Sequence, residues 1–322
     1  MRERDVDTVI VGGGQAGLAM SRGLAERSVE HVVLERGRVG ERWRSERWDS
    51  LSLLTPRWLS RLSGWSDDRG DPHAFMGRSE VIAYLERYAA AHTVPVEEGV
   101  TVTRVEMRDG TYRVSTDAGG WRARNVVIAT GESQDALVPA FAGDLARGVH
   151  QVVPTGYRRP SDLPHGGVLV VGASATGIQL AEEIHASGRP VTLSVGRHTR
   201  LPRRYRGRDI LAWLHDMGLL DEDIRSVASP EASRDQPSMQ LTGSADHRTL
   251  DLGVLLGQGI RLTGRAVGAC GHRMTFADDL METIASADVK LARLRLRIDR
   301  YIVEAGRSGE AGPEEPFAPV PL

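Results

Sequence analysis

A glycine-rich turn between two apolar runs is the feature of this sequence that most constrains its fold. Residues 8–11 form a short apolar run, residues 12–17 read Gly-Gly-Gly-Gln-Ala-Gly, and residues 31–35 form a second apolar run after a segment of helical composition. A strand, a glycine turn, a helix and a second strand in this order make one β–α–β unit. The sequence therefore predicts an α/β fold that begins with this unit.

The glycines of this turn occupy the three positions of the pattern G-x-G-x-x-G. Gly12 permits the tight turn, Gly14 lets a pyrophosphate approach the backbone, and Gly17 lets the helix pack against the strand. Gln15 and Ala16 open the helix, whose first N–H groups face the phosphates. We therefore predict a dinucleotide site here rather than an ordinary glycine turn.

A second unit of the same kind follows later in the chain. An apolar run at 168–171 precedes a turn at 172–177, and a helix and another apolar run come next. Gly172 and Gly177 keep the outer glycine positions, while Ser174 replaces the middle glycine. Its Cβ crowds a phosphate slightly, and its hydroxyl can donate to one. The sequence therefore predicts a second nucleotide site.

The residues that end the two units differ in charge. Glu35 ends the first unit, where a carboxylate accepts both hydroxyls of an adenosine ribose. Arg197 follows the last strand of the second unit, where a guanidinium binds a 2′-phosphate bidentately. The sequence thus favours NADP over NAD at the second site. The alternative is that Arg197 and Arg200 belong to a solvated basic loop.

Composition limits the class of protein. The 322 residues suffice for two modest domains, and the net charge of −2 gives no reason to expect nucleic acid or an anionic membrane surface. Cys270 is the only cysteine, which excludes a disulfide framework, a metal cluster and a paired-cysteine reductase. We find neither a signal peptide nor an apolar run of membrane-spanning length, so we expect a cytoplasmic protein.

Local patterns predict the elements outside the two units. Ser79 is expected as an N-cap, and Asp109-Gly110 as a hairpin turn. The predicted elements are a helix over 79–91, half-buried strands over 94–105 and 112–116, a fully buried strand from 126 that ends at the Thr130-Gly131 turn, a polar loop over 226–244 and a long amphipathic helix over 278–302. Glycines and prolines between 139 and 164 indicate a domain crossing, which gives domains over 1–160 and 161–305 and a poorly ordered tail over 306–322.

Two tryptophans, Trp43 and Trp48, lie in an arginine-rich loop after the first unit. They are either core aromatics beneath a long loop or flat surfaces that line a planar cofactor, because indole offers a large rigid face. Sequence alone leaves both interpretations open.

In the order of these parts the chain resembles the flavin-containing monooxygenases, especially their bacterial single-component relatives. The resemblance runs from about residue 5 to about residue 300. Its specific points are Gly12 to Gly17, Glu35-Arg36, Gly40-x-x-Trp43, Leu53-x-Thr55-Pro56, Ala129-Thr130-Gly131, and Gly172 to Gly177 with Arg197. It implies an α/β fold of two Rossmann-like dinucleotide-binding domains, an FAD domain with an inserted or following NADP domain.

The resemblance also implies roles for individual residues. Glu35 would hold the FAD ribose, and the backbone of Val102 would meet the adenine. Trp43 and Thr55 would lie near the isoalloxazine, and Arg197 would clamp the NADP 2′-phosphate. The implied cofactor-binding residues are Gly12, Gly14, Gln15, Ala16, Gly17, Glu35, Arg36, Arg42, Trp43, Thr55, Val102, Thr130, Gly131, Gly172, Ser174, Thr176, Gly177, Arg197 and Arg200.

The chemistry that the resemblance implies belongs to the flavin. NADPH reduces FAD, molecular oxygen adds to give a C4a-(hydro)peroxyflavin, and one oxygen atom passes to a small-molecule substrate. Two alternatives are an NADPH:acceptor flavin reductase without oxygen transfer and a nucleotide-binding subunit without catalysis.

In that family the chain returns from the NADP domain to complete the FAD domain, with a strand ending in Ala-Thr-Gly and a Gly-Asp segment beside the flavin. Nothing between Gly306 and Leu322 matches this return. We therefore expect that the sequence is a fragment, that a homo-oligomer or a partner chain completes the FAD domain, or that FAD binding is weak.

Overall fold

The computed structural model describes residues 3–65, 69–131, 135–316 and 318–321. The chain divides into two compact units. The first comprises Met1–Leu51, Pro56–Leu137 and Val152–Arg158, and the second comprises Ser52–Thr55, Val138–Gln151 and Arg159–Leu322. The domain limits proposed from the sequence, at residues 160 and 305, stay a prediction.

The first part of the chain builds a six-stranded sheet in the order β5-β2-β1-β8-β7-β6. The elements up to residue 128 are β1 (Glu3–Val11), α1 (Gln15–Ala25), β2 (His31–Glu35), α2 (Glu41–Ser45), β3 (Ser52–Pro56), β4 (Phe75–Gly77), α3 (Arg78–Ala91), β5 (Val96–Glu98), β6 (Val102–Arg108), β7 (Thr111–Thr116) and β8 (Gly119–Ile128). Strands β5, β2, β1 and β8 run parallel, and β6, β7 and β8 form an antiparallel meander.

The alternation of side chains along these strands builds the core of the first unit. Val9, Val32 and Leu34 come from the parallel strands, and they form one buried cluster with Val114 and Trp121 of the meander. Because successive side chains of a strand point to opposite faces, the neighbouring Ile10 is buried on the other face of the sheet. Both faces of β1 are therefore covered.

The turn predicted at Asp109-Gly110 is confirmed. Strand β6 ends at Arg108 and β7 begins at Thr111, so the hairpin has a two-residue loop. Asp109 has φ +50° and Gly110 has φ +76°, the backbone of a type I′ turn whose twist matches that of the strands.

The N-cap predicted at Ser79 is wrong. The helix already begins at Arg78, and Gly77 precedes it. The side chain of Glu80 accepts a hydrogen bond from the Gly77 N–H at 2.9 Å, so a carboxylate inside the first turn satisfies this terminus.

Two strand predictions also differ from the structure. The strand expected over 94–105 is two strands, β5 and β6, because Gly99 has φ +71° and interrupts the extended backbone. The strand from residue 126 is not fully buried, since Ile128 at its end is 64% exposed while Ile10 on the paired strand is 0% exposed.

The second part of the chain contains a three-stranded parallel sheet in the order β15-β10-β9. Its elements are β9 (Val168–Val171), α4 (Ala175–Ala186), β10 (Val191–Ser194), β11 (Thr199–Arg200), β12 (Arg204–Tyr205), β13 (Arg208–Asp209), α5 (Ile210–Asp216), α6 (Pro230–Arg234), β14 (Met239–Gln240), α7 (Leu252–Gly257), β15 (Arg261–Thr263), β16 (Ala266–Cys270), β17 (Arg273–Phe276) and α8 (Leu280–Glu304), with short 3-10 helices at Ala140–Asp144 and Pro160–Asp162. The expected polar loop over 226–244 thus contains α6 and β14.

The long amphipathic helix predicted over 278–302 is confirmed as α8, which buries one face in the second unit. The buried residues of that face are Ile284, Ala287, Leu291, Ile298 and Ile302. The tail over 306–322, for which poor order stays a prediction, makes contacts among its described residues. The Ala318 carbonyl accepts a hydrogen bond from Arg200 at 2.8 Å, and Val320 is buried. Within the described residues, no helix combines the length and the apolar composition that crossing a membrane requires.

Ile10, buried on β1, and Ile128, exposed at the end of the neighbouring strand β8, should contribute unequally to stability. Replacing Ile10 with alanine removes a fully buried side chain and should lower the free energy of unfolding by about 2–5 kcal/mol. The same replacement at the exposed Ile128 should lower it by less than about 1 kcal/mol. Urea unfolding of the parent and both variants measures the free energy of unfolding, provided that the m-values are unchanged. Equal decreases in that free energy at the two positions would contradict the burial of Ile10 and the exposure of Ile128.

Candidate dinucleotide-binding sites

The outer glycines of the first turn leave no room for a side chain. Gly12 has φ +113°, and a Cβ there would lie 2.4 Å from the carbonyl oxygen of Ala129. A Cβ on Gly17 would lie 1.9 Å from the carbonyl oxygen of Gly12. These distances are far below van der Waals contact, so the turn and the packing of α1 against β1 both require glycine.

The middle glycine of the first turn faces open space instead. A Cβ built on Gly14 meets no atom of the described residues within 4 Å. Gly14 is also the N-cap of α1, so the N–H groups of Gln15 and Ala16 lie in the first turn, where no carbonyl of the helix precedes them. An open space beside these donors fits a phosphate.

Glu35 is held at the edge of this turn by two backbone donors. Its carboxylate accepts from the Gly13 N–H at 2.6 Å and from the Gly37 N–H at 2.9 Å, one bond to each oxygen. The residue is 8% exposed. Because each carboxylate oxygen accepts more than one hydrogen bond, the carboxylate can still bind ribose hydroxyls.

Four of the predicted cofactor residues lie together around α2, where Glu46 joins two of them. Glu46 accepts from Arg36 at 3.0 Å and from the Nε of Arg42 at 2.6 Å. Arg42 also donates to the carbonyl of Thr130 at 3.4 Å, and a Cβ on Gly131 would lie 2.9 Å from its guanidinium. The turn that ends β8 is thus tied to α2 through Arg42.

The two tryptophans of the loop have different environments. Trp48 is buried, which supports the core interpretation for that residue. Trp43 lies within α2 and is half-buried, with the Arg47 guanidinium 5.6 Å from its ring centre. Of the remaining predicted residues, Val102 begins β6 and is half-buried, and Thr55 lies in the part of β3 that belongs to the second unit.

The second turn shares with the first the positive φ of its first glycine and the close approach at its last glycine. Gly172 has φ +105°, and a Cβ on Gly177 would lie 1.8 Å from the Gly172 carbonyl oxygen. Ser174 takes the N-cap position of α4 with an extended backbone, and its hydroxyl makes no capping hydrogen bond. Thr176 lies in the first turn of α4 and is half-buried. This arrangement also fits a phosphate, with a hydroxyl beside the N–H donors.

A distant glutamine supports the second turn. The side-chain amide of Gln240, which is 0% exposed, donates to the carbonyl of Ala173 at 2.8 Å. Ala173 lies between Gly172 and Ser174, so this hydrogen bond holds the backbone of the turn in place. Sequence analysis did not identify Gln240, because 67 residues separate it from the turn.

Arg197 is exposed beyond the end of β10 and pairs with Asp235. Two hydrogen bonds of 3.0 and 2.9 Å join the guanidinium to the two carboxylate oxygens. The side chains are 68% and 72% exposed. The pair raises the pKa of Arg197 and lowers the pKa of Asp235, in each case chiefly through these hydrogen bonds.

The environment of Arg200 does not suit a residue that binds a phosphate, because such a residue needs an accessible guanidinium. Its guanidinium is buried and donates to Asp251 at 2.8 Å, to Asp288 at 2.6 Å and to the Ala318 carbonyl at 2.8 Å. Two carboxylates therefore compensate the buried charge. The contacts favour a structural role for Arg200 and leave Arg197 as the exposed guanidinium beyond β10.

Comparison with known proteins matches residues 9–215 to the family described as pyridine nucleotide-disulphide oxidoreductase. The CzcO-like oxidoreductase of Geobacillus kaustophilus is 38% identical over 223 residues, which cover 69% of this chain and 63% of that protein. The chain therefore spans less than two thirds of this relative's length.

Two monooxygenases are also similar. An indole-3-pyruvate monooxygenase of Oryza sativa subsp. japonica is 31% identical over 232 residues, 68% of this chain and 57% of that protein. Among solved structures, a two-substitution variant of the flavin monooxygenase from Stenotrophomonas maltophilia is 25% identical. It has a TM-score of 0.63 and covers 85% of this chain and 74% of that one.

The glycines of the first turn predict a contrast in stability. Gly17→Ala should destabilise the ligand-free protein by more than about 3 kcal/mol, because the added Cβ overlaps the Gly12 carbonyl. Gly14→Ala should change stability by less than about 1 kcal/mol, because the space beside Gly14 is open. Thermal unfolding without ligand measures both, and a Gly17→Ala protein as stable as the parent would refute the close approach.

Proposed function

The chain belongs to the pyridine nucleotide-disulphide oxidoreductase family, and on that premise we propose that it is an NADPH-dependent, FAD-containing monooxygenase. One observation carries the proposal: two turns of the same geometry lie in strand–helix units that end in opposite charges, Glu35 and Arg197. When bound, FAD supplies hydride acceptance and oxygen activation, for which proteins recruit a cofactor. NADPH supplies the hydride, and a small molecule accepts one atom of molecular oxygen.

We assign FAD to the first unit. The N–H groups of Gln15 and Ala16, beside the open space at Gly14, bind its pyrophosphate. Glu35 accepts the ribose hydroxyls, and its two backbone donors hold the carboxylate ready for them. The remaining residues proposed around FAD are Gly12, Gly17, Arg36, Arg42, Trp43, Thr55, Val102, Thr130 and Gly131.

We assign NADPH to the second unit. The Ser174 hydroxyl and the N–H groups of the first turn of α4, at Thr176 and its neighbours, bind the pyrophosphate. Arg197 binds the 2′-phosphate, a group that its planar guanidinium contacts through two parallel N–H bonds. Gly172 and Gly177 provide the close backbone approach, and Arg200 supports the loop from inside the unit.

Oxygen transfer is supported by the relatives and by the cysteine content. The similar proteins of rice and Stenotrophomonas are named as monooxygenases. A reductase that works through a pair of cysteines needs two thiols, and this chain has only Cys270, which is exposed and not in a disulfide. Paired-cysteine chemistry is therefore a poor fit to this member of the family.

We also propose that further polypeptide, from a partner chain or a second copy, completes the unit that binds FAD. Ile128 supports this, because an aliphatic side chain at the end of a central strand is 64% exposed.

We propose a cytoplasmic location, since a lone exposed thiol suits a reducing compartment.

The two assignments predict separable losses of affinity. Glu35→Gln should weaken FAD binding about 10- to 150-fold, because a charged acceptor of the ribose hydroxyls is lost, and should leave NADP⁺ binding unchanged. Arg197→Ala should weaken NADP⁺ binding about 30- to 150-fold and leave FAD binding unchanged.

Calorimetric titration of the parent and both variants with each cofactor measures these constants, and each variant serves as the control for the other. A Glu35→Gln protein that binds FAD as tightly as the parent would overturn the assignment of the first site. Loss of both cofactors in one variant would instead indicate damage to the fold.

A further inference from the structure

The exposed ion pair of Arg197 and Asp235 affects how strongly the second site can bind a 2′-phosphate. Asp235 occupies both terminal nitrogens of the Arg197 guanidinium, at 3.0 and 2.9 Å, and its backbone carbonyl is 3.5 Å from one of them. A 2′-phosphate uses the same two nitrogens when it binds a guanidinium bidentately. The carboxylate and the phosphate therefore compete for one set of donors.

We propose that Asp235 is a specificity-determining residue, which competes with the 2′-phosphate for Arg197 and so limits the preference of the second site for NADPH over NADH. The inference rests on the proposed function, because it takes the second unit as the NADPH site. To bind Arg197, the 2′-phosphate must displace Asp235. NADH carries an uncharged 2′-hydroxyl and can bind without breaking the pair.

The exposure of the pair and the charge of the phosphate determine whether Asp235 strengthens or weakens NADPH binding. Both side chains are well exposed, and an exposed ion pair between two flexible side chains contributes little stability. A phosphate monoester carries about −1.5 to −2 charges at neutral pH, so it binds the guanidinium more strongly than a carboxylate does and displaces it. Breaking the ion pair offsets part of the free energy that the phosphate gains from Arg197, so NADPH binds less tightly than it would to an unpaired guanidinium.

Asp235 and Arg197 are both charged at neutral pH. Arg197 holds the pKa of Asp235 below its ordinary value, and the positive charge of Lys290 lowers that pKa further. The carboxylate is therefore charged at neutral pH, where NADPH would bind. Without the Asp235 charge, a phosphate would meet the Arg197 guanidinium with no carboxylate to displace.

The test replaces Asp235 with asparagine, which keeps the shape of the side chain and removes its charge. We expect Asp235→Asn to bind NADP⁺ about two- to fivefold more tightly than the parent, and to bind NAD⁺ within about a factor of two of the parent. Calorimetric titration of the full chain with NADP⁺ and with NAD⁺ gives both constants without turnover.

The chain offers a matched control in Asp223→Asn. Asp223 also belongs to the second unit and makes an exposed pair with Arg225, with hydrogen bonds of 3.0 and 2.6 Å. Its replacement changes the net charge by the same amount without touching Arg197. A pure effect of net charge predicts equal gains in NADP⁺ affinity for the two variants, whereas competition predicts a gain for Asp235→Asn alone.

A double variant identifies Arg197 as the route of the effect. In the Arg197→Ala background, Asp235→Asn should change NADP⁺ affinity less than about twofold, because no guanidinium remains to compete for. The inference is overturned if Asp235→Asn leaves NADP⁺ affinity unchanged or weakens it, if Asp223→Asn gives the same gain, or if the gain survives the loss of Arg197.

The failure of the proposed function has a different signature. A parent chain that does not bind NADP⁺, or an Arg197→Ala variant that binds NADP⁺ as tightly as the parent, would overturn the assignment of the second site and the inference with it. If Arg197→Ala weakens NADP⁺ binding while Asp235→Asn leaves it unchanged, the site stands and only the competition is refuted.

Discussion

A backbone carbonyl in each turn occupies the space that a side chain would need on the following helix. The Gly12 oxygen lies 1.9 Å from the position of a Gly17 Cβ, and the Gly172 oxygen lies 1.8 Å from that of a Gly177 Cβ. This approach fixes each helix against its strand, and it thereby fixes the direction of the N–H groups in the first helical turn. The proposed binding of both pyrophosphates depends on it. The middle position, Gly14 in one turn and Ser174 in the other, is where we propose that each ligand contacts the turn.

The two units prepare their charged ends in different ways. Two backbone N–H groups hold the Glu35 carboxylate before any ligand arrives, so little side-chain ordering remains to oppose binding. Arg197 is exposed, and another exposed side chain, Asp235, holds it. With the proposed cofactors, the first site is therefore preorganised, while the second exchanges one anion for another. This difference follows from where the partners lie, since the donors to Glu35 come from adjacent backbone and the acceptor for Arg197 comes from a distant loop.

The sequence predicted what local chemistry determines and missed what distant segments contribute. The glycine turns and the Asp109-Gly110 hairpin follow from backbone conformations that few other residues adopt. Gln240 and Asp235 reach their partners across 67 and 38 residues, and no periodicity or spacing indicates such contacts. Arg200 could not be told from Arg197 by residue type, because only the fold brings Asp251 beside it.

We propose that this chain passes electrons from a nicotinamide bound at one site to a flavin bound at the other. The most direct measurement mixes the full chain, loaded with FAD, with NADPH in the absence of oxygen and follows the visible absorption of the flavin. We expect loss of that absorption at one NADPH per flavin, with slower loss for NADH, and its return when oxygen is admitted. A bound flavin that stays oxidised in excess NADPH would refute hydride transfer between the two cofactors.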